Sequence, residues 1–150
     1  MKRFSIISCL CLLAAPALAA PADDALAHSK AFERAANARD AKAILALYAA
    51  DAHVVWPGQG EEANGRVEIE KLVANFLKQL PEDSKITLES QTAIPLSGGY
   101  IATVGRWHQT FTDPAGKHQT VQLRTTEIIR KEKGKTLYVG FNEDSYRDFV

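Results

Sequence analysis

The second half of the chain, after Pro81, contains four segments in which β-branched and aromatic residues alternate with polar ones. These segments span residues 86–96, 100–112, 119–131 and 136–145. The connections between them are short and rich in glycine, at residues 97–99, 113–116 and 133–134. Turns of this length join strands that are antiparallel neighbours. The sequence therefore predicts a four-stranded antiparallel meander.

Helical patterns dominate the chain before the meander. We predict helices over 25–39, from the N-cap Asp40 onward, and over 66–79, with a strand at 53–56 and a polar loop at 59–65. The residues predicted to face inward from these helices are Leu26, Phe32, Ala36, Ile44, Leu47, Tyr48, Ile69, Leu72, Val73 and Phe76. Helices followed by a meander indicate an α+β fold, with three N-terminal helices packed on one face of the sheet.

The start of the chain has the three-part layout of a secretory signal peptide. Lys2 and Arg3 give a positive start, residues 6–15 form an apolar run, and residues 17–19 form a small-x-small exit. The apolar run is too short to span a bilayer. We therefore expect export across the inner membrane, with the periplasm as the destination.

We expect cleavage after Ala19, which leaves a signal peptide at 1–19 and one domain at 20–150. The alternative is a lipoprotein signal that uses Cys9, but this residue lies too near the start to leave an apolar region before it. Cys9 and Cys11 both fall within the signal. The mature domain then has no disulfide, no thiolate nucleophile and no cysteine metal ligand.

The charge balance argues against nucleic acid as a partner. The 18 basic and 18 acidic residues cancel, and removal of Lys2 and Arg3 with the signal leaves a slight acidic excess. A near-neutral chain without a basic stripe is a poor nucleic-acid binder. No segment after the signal is apolar for long enough to cross a membrane, so we expect no membrane partner after cleavage.

Strand alternation places a carboxyl group on the buried face of the third meander strand. That face consists of Val121, Leu123, Thr125, Glu127 and Ile129. The corresponding face of the last strand consists of Leu137, Val139, Phe141 and Glu143. Pairing about the turn at Gly134 puts Glu127 opposite Phe141, and it puts Glu143 opposite Thr125.

A buried carboxyl group needs a partner or it stays protonated. Glu127 therefore has either a pocket role or a structural one. Glu143, which is nearer the strand end, lies either in the pocket or at a wet rim.

The aromatic and histidine residues predict a pocket wall but no metal site. Trp107 lies on the same strand face as Ile101, Thr103, Gly105 and Phe111. In a domain with a pocket, the residues of such a face form both the core and the pocket wall. Trp56 is expected to lie in the same kind of position. The histidines are scattered, with His28 predicted on the exposed side of the first helix, His118 in a turn, and His53 and His108 on the faces opposite the tryptophans. No histidine pair has metal-ligand spacing. We expect no metal and no cofactor.

Several stretches resemble the nuclear-transport-factor-two-like superfamily, which includes ketosteroid isomerases and SnoaL-like polyketide cyclases. The stretches are Leu47 to Pro57, Asn64-Gly65-Arg66, Gly105-Arg106-Trp107, Asp113 to Lys117, and the closing hairpin around Gly134. The resemblance implies a cone-shaped fold in which a curved, mostly antiparallel sheet wraps the helices and encloses an apolar pocket. It also implies a homodimer.

The resemblance to ketosteroid isomerases fails at the residues that do the chemistry. Trp56 stands where those enzymes carry the aspartate that moves the proton, and Phe32 stands where they carry the first-helix tyrosine. Only Tyr48 and Glu127 match members of the family's hydrogen-bond network. Loss of the base removes an effect worth about 10² to 10⁴ in rate. We therefore predict that the protein is not a ketosteroid isomerase.

Three functions remain open. The first is binding of a small amphipathic or cationic molecule in a pocket made by Phe32, Tyr48, Trp56, Phe76, Trp107, Thr125, Glu127, Phe141 and Glu143. The second is an isomerase, cyclase or dehydratase in which Glu127 is the acid or base and Tyr48 orients it. The third is a dimeric interaction platform whose contacts lie on the outer sheet face, at Arg106, His108, Arg124 and Arg130.

Overall fold

The structure is a computed structural model that describes residues 21–56 and 61–146, with the backbone alone described for 141–146. The expected signal peptide at 1–19 therefore lies outside the described residues. The helices are α1 (Pro21–Asn37), α2 (Ala41–Leu45) and α3 (Gly65–Gln79). The strands are β1 (Tyr48–Trp56), β2 (Glu61–Asn64), β3 (Lys85–Pro95), β4 (Tyr100–Thr112), β5 (His118–Glu132) and β6 (Lys135–Tyr146). No helix among the described residues is long and apolar enough to cross a membrane.

The six strands form one open sheet in the order β2-β1-β6-β5-β4-β3. The predicted meander of β3 to β6 is confirmed, since each of its strands pairs antiparallel with the next. β1 adds to β6 in the parallel direction, and β2 pairs antiparallel with β1. The predicted polar loop at 59–65 is therefore wrong in part, because 61–64 form the short edge strand β2. The three helices pack against this mostly antiparallel sheet, as the α+β prediction requires.

The predicted inward position of Leu26 and the predicted exposed position of His28 in α1 are both wrong. Leu26 is exposed, whereas His28 is buried with only 5% of its surface accessible. His28 lies against the ring of Tyr138, with the ring centroids 4.2 Å apart. The predicted positions of Phe32 and Ala36 in the core are confirmed. The buried stripe of α1 is therefore rotated toward His28, which faces β6.

The second helix is shorter than predicted. Asp40 caps it as expected, because its carboxylate accepts the backbone N–H of Ala43 at 2.9 Å. The helix nevertheless ends at Leu45, and Tyr48 is the first residue of β1. The hydrophobic spacing of Ile44, Leu47 and Tyr48 predicted a longer helix, but the Leu47 carbonyl instead accepts the backbone N–H of Tyr138 in β6.

A β-bulge in β6 changes which side chains face inward. Ile128 pairs with Gly140 whereas Ile129 pairs with Tyr138, so Val139 is an extra residue in β6. Before the bulge, the inward residue is Tyr138, which is fully buried. The predicted inward face of Leu137 and Val139 is therefore wrong, and both are only partly buried.

Candidate functional site

An apolar cleft lies between the helices and the meander. Its helix side is made by Phe32 of α1 and Phe76 of α3. The remaining lining residues come from the sheet and are Ile86, Trp107, Gln109, Leu123 and Thr125. The volume that the centre of a water molecule can occupy inside the cleft is about 30 Å³. One water molecule needs about 10 to 15 Å³ on that measure, so the cleft as it stands holds about two.

Trp107 forms part of the cleft wall, and its indole folds back over Gly105. The indole Nε1–H of Trp107 donates to Thr125 Oγ1 at 3.1 Å. A Cβ atom on Gly105 would lie 2.5 Å from both the Trp107 Nε1 and the Thr125 Oγ1. The missing side chain of Gly105 therefore provides the space in which this hydrogen bond forms.

Glu127 lies directly behind Thr125 and is fully buried. Thr103, its partner in the β4–β5 register, donates its hydroxyl to Glu127 Oε2 at 2.5 Å. Gln91 Nε2 approaches the same oxygen at 3.4 Å and donates to Ser29 Oγ at 2.6 Å. Residues of α1, β3, β4 and β5 thus form one buried polar cluster, defined by Ser29, Gln91, Thr103, Thr125 and Glu127.

Burial dominates the ionisation of the groups in this region. It raises the pKa of Glu127, and the hydrogen bonds from Thr103 and Thr125 oppose that rise. Burial also raises the pKa of Tyr138, with a further contribution from the neighbouring charge of Glu127. The same effect lowers the pKa of His28 to about 4. The interior is therefore an environment that disfavours charge.

Two acceptor oxygens in the polar cluster have no hydrogen-bond partner among the described residues. They are Glu127 Oε1 and Gln91 Oε1, and both are shielded from solvent. A buried acceptor without a partner costs about 1 to 3 kcal/mol. The cluster therefore has unused hydrogen-bonding capacity at its centre.

The structure brings some of the predicted pocket residues together and separates others. Phe32, Phe76, Trp107 and Thr125 line the cleft, and Glu127 lies behind it. Tyr48 is buried against Tyr138, with ring centroids 5.1 Å apart, and Trp56 packs edge-on against Phe76 with centroids 4.7 Å apart. Neither Tyr48 nor Trp56 lines the cleft. Phe141 pairs with Glu127 and Glu143 pairs with Thr125, as predicted, but their side chains lie outside the described residues.

Sequence reasoning missed Ser29, Gln91 and Tyr138. A second bulge, between Leu88 and Ser90 in β3, shifts the alternation and turns Gln91 inward. Thr103 was on the predicted inward face, and its register with Glu127 was the signal that could have identified it as a partner. In the part of the chain that the structure describes, no group of three or more His, Cys, Asp or Glu side chains could hold a metal ion.

The fold is that of the NTF2-like and ketosteroid isomerase-like proteins. Solved structures with this fold include a protein of the NTF2-like family from Streptomyces avermitilis, with 14% identity, a TM-score of 0.73, and coverage of 85% of this chain and 97% of that chain. A ketosteroid isomerase-like protein from Erwinia carotovora atroseptica has 18% identity, a TM-score of 0.68, and coverage of 81% and 93%. An uncharacterized protein with a cystatin-like fold from Caulobacter vibrioides has 20% identity, a TM-score of 0.73, and coverage of 85% and 91%.

The sequence pattern of the SnoaL-like domain matches residues 29–139. The chain therefore belongs to the SnoaL-like domain family, in agreement with the resemblance seen in its sequence. A comparison with curated proteins gave no match. Structural likeness at these identities establishes the fold, and the fold alone does not define an activity.

Proposed function

We propose that this protein binds a small, largely apolar molecule that carries one polar group. The apolar body occupies the cleft between Phe32, Phe76 and Trp107, and the polar group points toward Thr125 and Glu127. The observation that carries this proposal is an apolar cleft lined in part by Thr125, next to the buried carboxyl group of Glu127, which has unused hydrogen-bonding capacity. Apolar walls with a few convergent polar groups are typical of small-molecule sites.

Binding is favoured over catalysis by the neighbours of Glu127. Its hydrogen-bond partners among the described residues are hydroxyl and amide groups, from Thr103, Thr125 and Gln91. These groups orient a carboxyl group, but they do not exchange protons near neutral pH. A general acid or base acts only on a proton within its hydrogen-bond reach, and none of the described residues that line the cleft has a side chain that titrates near neutral pH.

Binding requires side chains of the cleft to move, because its free volume is about 30 Å³ and sites for drug-sized ligands measure about 300 to 1,000 Å³. Trp107 is the residue best placed to respond. Its indole lines the cleft beside Thr125, and it is held there by one hydrogen bond to Thr125 Oγ1. We therefore expect ligand binding to change the fluorescence of Trp107.

The test is a thermal-shift screen of the domain against small metabolites, with Glu127→Gln run in parallel. A ligand at about one hundred times its dissociation constant adds about 2.7 kcal/mol of stability. We expect a compound that stabilises the wild type and the matched control Glu70→Gln, which changes an exposed residue of α3, but not Glu127→Gln. A screen in which no compound shifts either protein contradicts the proposal.

A second candidate function is a self-associating platform, and an apolar patch on the outer sheet face favours it. The patch consists of exposed side chains of β3, β4 and the turn between them, namely Ile94, Leu96, Tyr100 and Val104. We propose a second copy of the chain as its occupant. Exposed Arg106 lies beyond one end of the patch, whereas Asp51 and Glu132 lie beyond the other end, around Arg130. A two-fold axis through the patch brings these opposite charges of the two copies together.

Light scattering across a dilution series tests self-association. We expect a dimer for the wild type, a monomer for Val104→Arg, and a dimer for Ala74→Arg, a control on the exposed face of α3. A monomeric wild type at high concentration contradicts this second function. That result would not bear on the proposed small-molecule site.

We also propose that the protein works in the periplasm after export. The proposal rests on the charged, apolar and small-residue segments of 1–19. The intact mass of the protein recovered from the cell envelope tests it. A mass that begins at Ala20 supports export, and a full-length cytoplasmic product contradicts it.

A further inference from the structure

We propose that the polar group recognised by the buried cluster is a primary ammonium group, so that the ligand is an amine with an apolar body. This inference rests on the proposed function and specifies its ligand. The ammonium group donates to Glu127 Oε1 and Gln91 Oε1, the two buried acceptors that lack a partner among the described residues.

Donor and acceptor accounting at the cluster identifies what is lacking. Both N–H bonds of the Gln91 amide point to existing acceptors, one toward Ser29 Oγ and one toward Glu127 Oε2. The Thr103 hydroxyl also donates to Glu127 Oε2. The Thr125 hydroxyl accepts from Trp107 and hydrogen-bonds Glu127. When Glu127 is in its carboxylate form, two acceptor oxygens remain, in groups that approach each other to 3.4 Å, so an entering group satisfies both only if it carries at least two donors. A primary ammonium group carries three.

A positive charge is the second requirement that the ligand meets. The groups that face Glu127 are Gln91 of β3, Thr103 of β4, Thr125 of β5 and Tyr138 of β6, and none of them is a cation. Ser29 of α1 is joined to them through Gln91. Around them, Tyr48 of β1 and His28 of α1 contact Tyr138, and burial keeps His28 neutral above about pH 4 by lowering its pKa to about 4. No basic side chain of the described residues pairs with Glu127, so the compensating charge comes from the ligand.

The ionisation of Glu127 distinguishes an amine from the other ligands that the cleft could take. An ammonium group pairs with the carboxylate form, so its binding releases a proton from Glu127 wherever that residue is protonated. Its affinity therefore rises with pH by up to about tenfold per unit below the pKa of Glu127 in the free protein. A carbonyl ligand accepts a hydrogen bond from the protonated form, so its affinity falls with pH. A neutral alcohol needs no change in ionisation.

The experiment measures binding to the full domain with Trp107 as the fluorescent reporter. The probes are 2-phenylethylamine and tryptamine, each matched with the alcohol of the same skeleton, 2-phenylethanol and tryptophol. Dissociation constants are measured between about pH 5 and about pH 8, across the range in which a buried carboxyl group titrates. The proteins are the wild type, Glu127→Gln, and the control Glu70→Gln. Because tryptamine and tryptophol fluoresce, calorimetry replaces fluorescence for that pair.

We expect the amines to bind more tightly than their alcohols at the upper end of the pH range. We also expect their affinity to rise with pH, and both effects to vanish in Glu127→Gln, with a loss of at least about thirtyfold for the amines. Glu70→Gln should behave as the wild type. The pH slope is measured on the wild type alone, so the proposal stays testable if Glu127→Gln fails to fold.

The outcomes separate this inference from the function on which it rests. If the alcohols bind as tightly as the amines, or the amine affinity does not rise with pH, the ammonium proposal is overturned and the small-molecule function stands. If neither amines nor alcohols bind and the metabolite screen is also empty, both are overturned.

Discussion

Glu127 gives the folded protein a distinctive pH dependence. Burial raises its pKa above the ordinary value of 4.5, so the folded protein holds a proton that the unfolded chain releases. Stability is therefore lost as the pH rises from the unfolded value through the folded pKa, and the loss is complete above it. We expect Glu127→Gln to remove this titration, so the wild type becomes less stable relative to the variant as the pH rises.

Urea unfolding over a series of pH values tests this prediction, with the free energy of unfolding as the measured quantity. Glu70→Gln is the control and should follow the pH dependence of the wild type. Parallel curves for the wild type and Glu127→Gln would show that Glu127 is ionised normally in the folded state.

Gly105 is the second residue whose substitution has a specific predicted effect on stability. A Cβ atom at this position meets Trp107 Nε1 and Thr125 Oγ1 at 2.5 Å, so Gly105→Ala must displace the indole or the threonine. We expect a loss of about 1 to 3 kcal/mol of stability and a change in the fluorescence of Trp107.

Gly140→Ala is the matched control for Gly105→Ala. A Cβ atom on Gly140 has ordinary contacts with Ile128 at 3.7 Å, so this strand glycine should tolerate alanine. Equal stability of the two variants would refute the tight approach of Trp107 to Gly105.

The single residues of the site were predictable only where the strands are regular. Alternation in β5 correctly places Thr125 and Glu127 on the buried face, because β5 pairs with β4 without a register shift. It does not identify Gln91 or Tyr138, because each lies next to a bulge that reverses the alternation in its strand. A bulge depends on pairing with the neighbouring strand, so the local sequence alone does not reveal it.

Among the elements, α1 is fixed to the free edge of β3 by side chains. Asn37 forms a reciprocal pair with the backbone of Ile86, at 2.8 Å in each direction, and Glu33 accepts the backbone N–H of Leu88 at 2.8 Å. Residues four apart on a helix rise about 6 Å, and residues two apart on a strand span about 6.6 Å. The spacing of Glu33 and Asn37 therefore matches that of Leu88 and Ile86.

This match predicts the effect of Asn37→Ala. The variant leaves the Ile86 backbone N–H and C=O without their partner, so we expect a loss of about 1 to 2 kcal/mol in the free energy of unfolding. Asn75→Ala, an exposed change on α3, is the control and should stay within about 0.5 kcal/mol of the wild type. If both variants unfold at the same urea concentration, the Asn37 pair contributes nothing to the attachment of α1.

The elements themselves were largely predictable, and their ends less so. The meander strands lie within two residues of their predicted bounds, because glycine and proline turns limit them on both sides. The boundary between α2 and β1 could not be predicted, because Tyr48 fits the helical spacing but pairs with Tyr138 of β6 in the sheet. A contact between residues so distant in sequence overrides local helix propensity.

At the scale of the whole molecule, the order of helices and strands predicted the α+β fold. The free volume inside that fold limits the size of the ligand that fits without movement of side chains. About 30 Å³ of free volume lies in the cleft, and Phe32 and Trp107 meet edge to face in its wall, with ring centroids 6.0 Å apart. The volume could not be predicted from the sequence, because it depends on how aromatic side chains of α1, α3 and β4 fill the space together.

The same interior leads to a prediction about steroid chemistry. Trp56, at the position that matches the base of ketosteroid isomerases, is buried against Phe76. We expect the purified protein not to isomerise a β,γ-unsaturated ketosteroid, with any conversion equal to that of a Trp56→Ala control. An indole ring cannot remove the proton, and loss of a general base costs about 10² to 10⁴ in rate. Turnover by the wild type well above that of Trp56→Ala would contradict this prediction, because it would show that Trp56 itself contributes to the reaction.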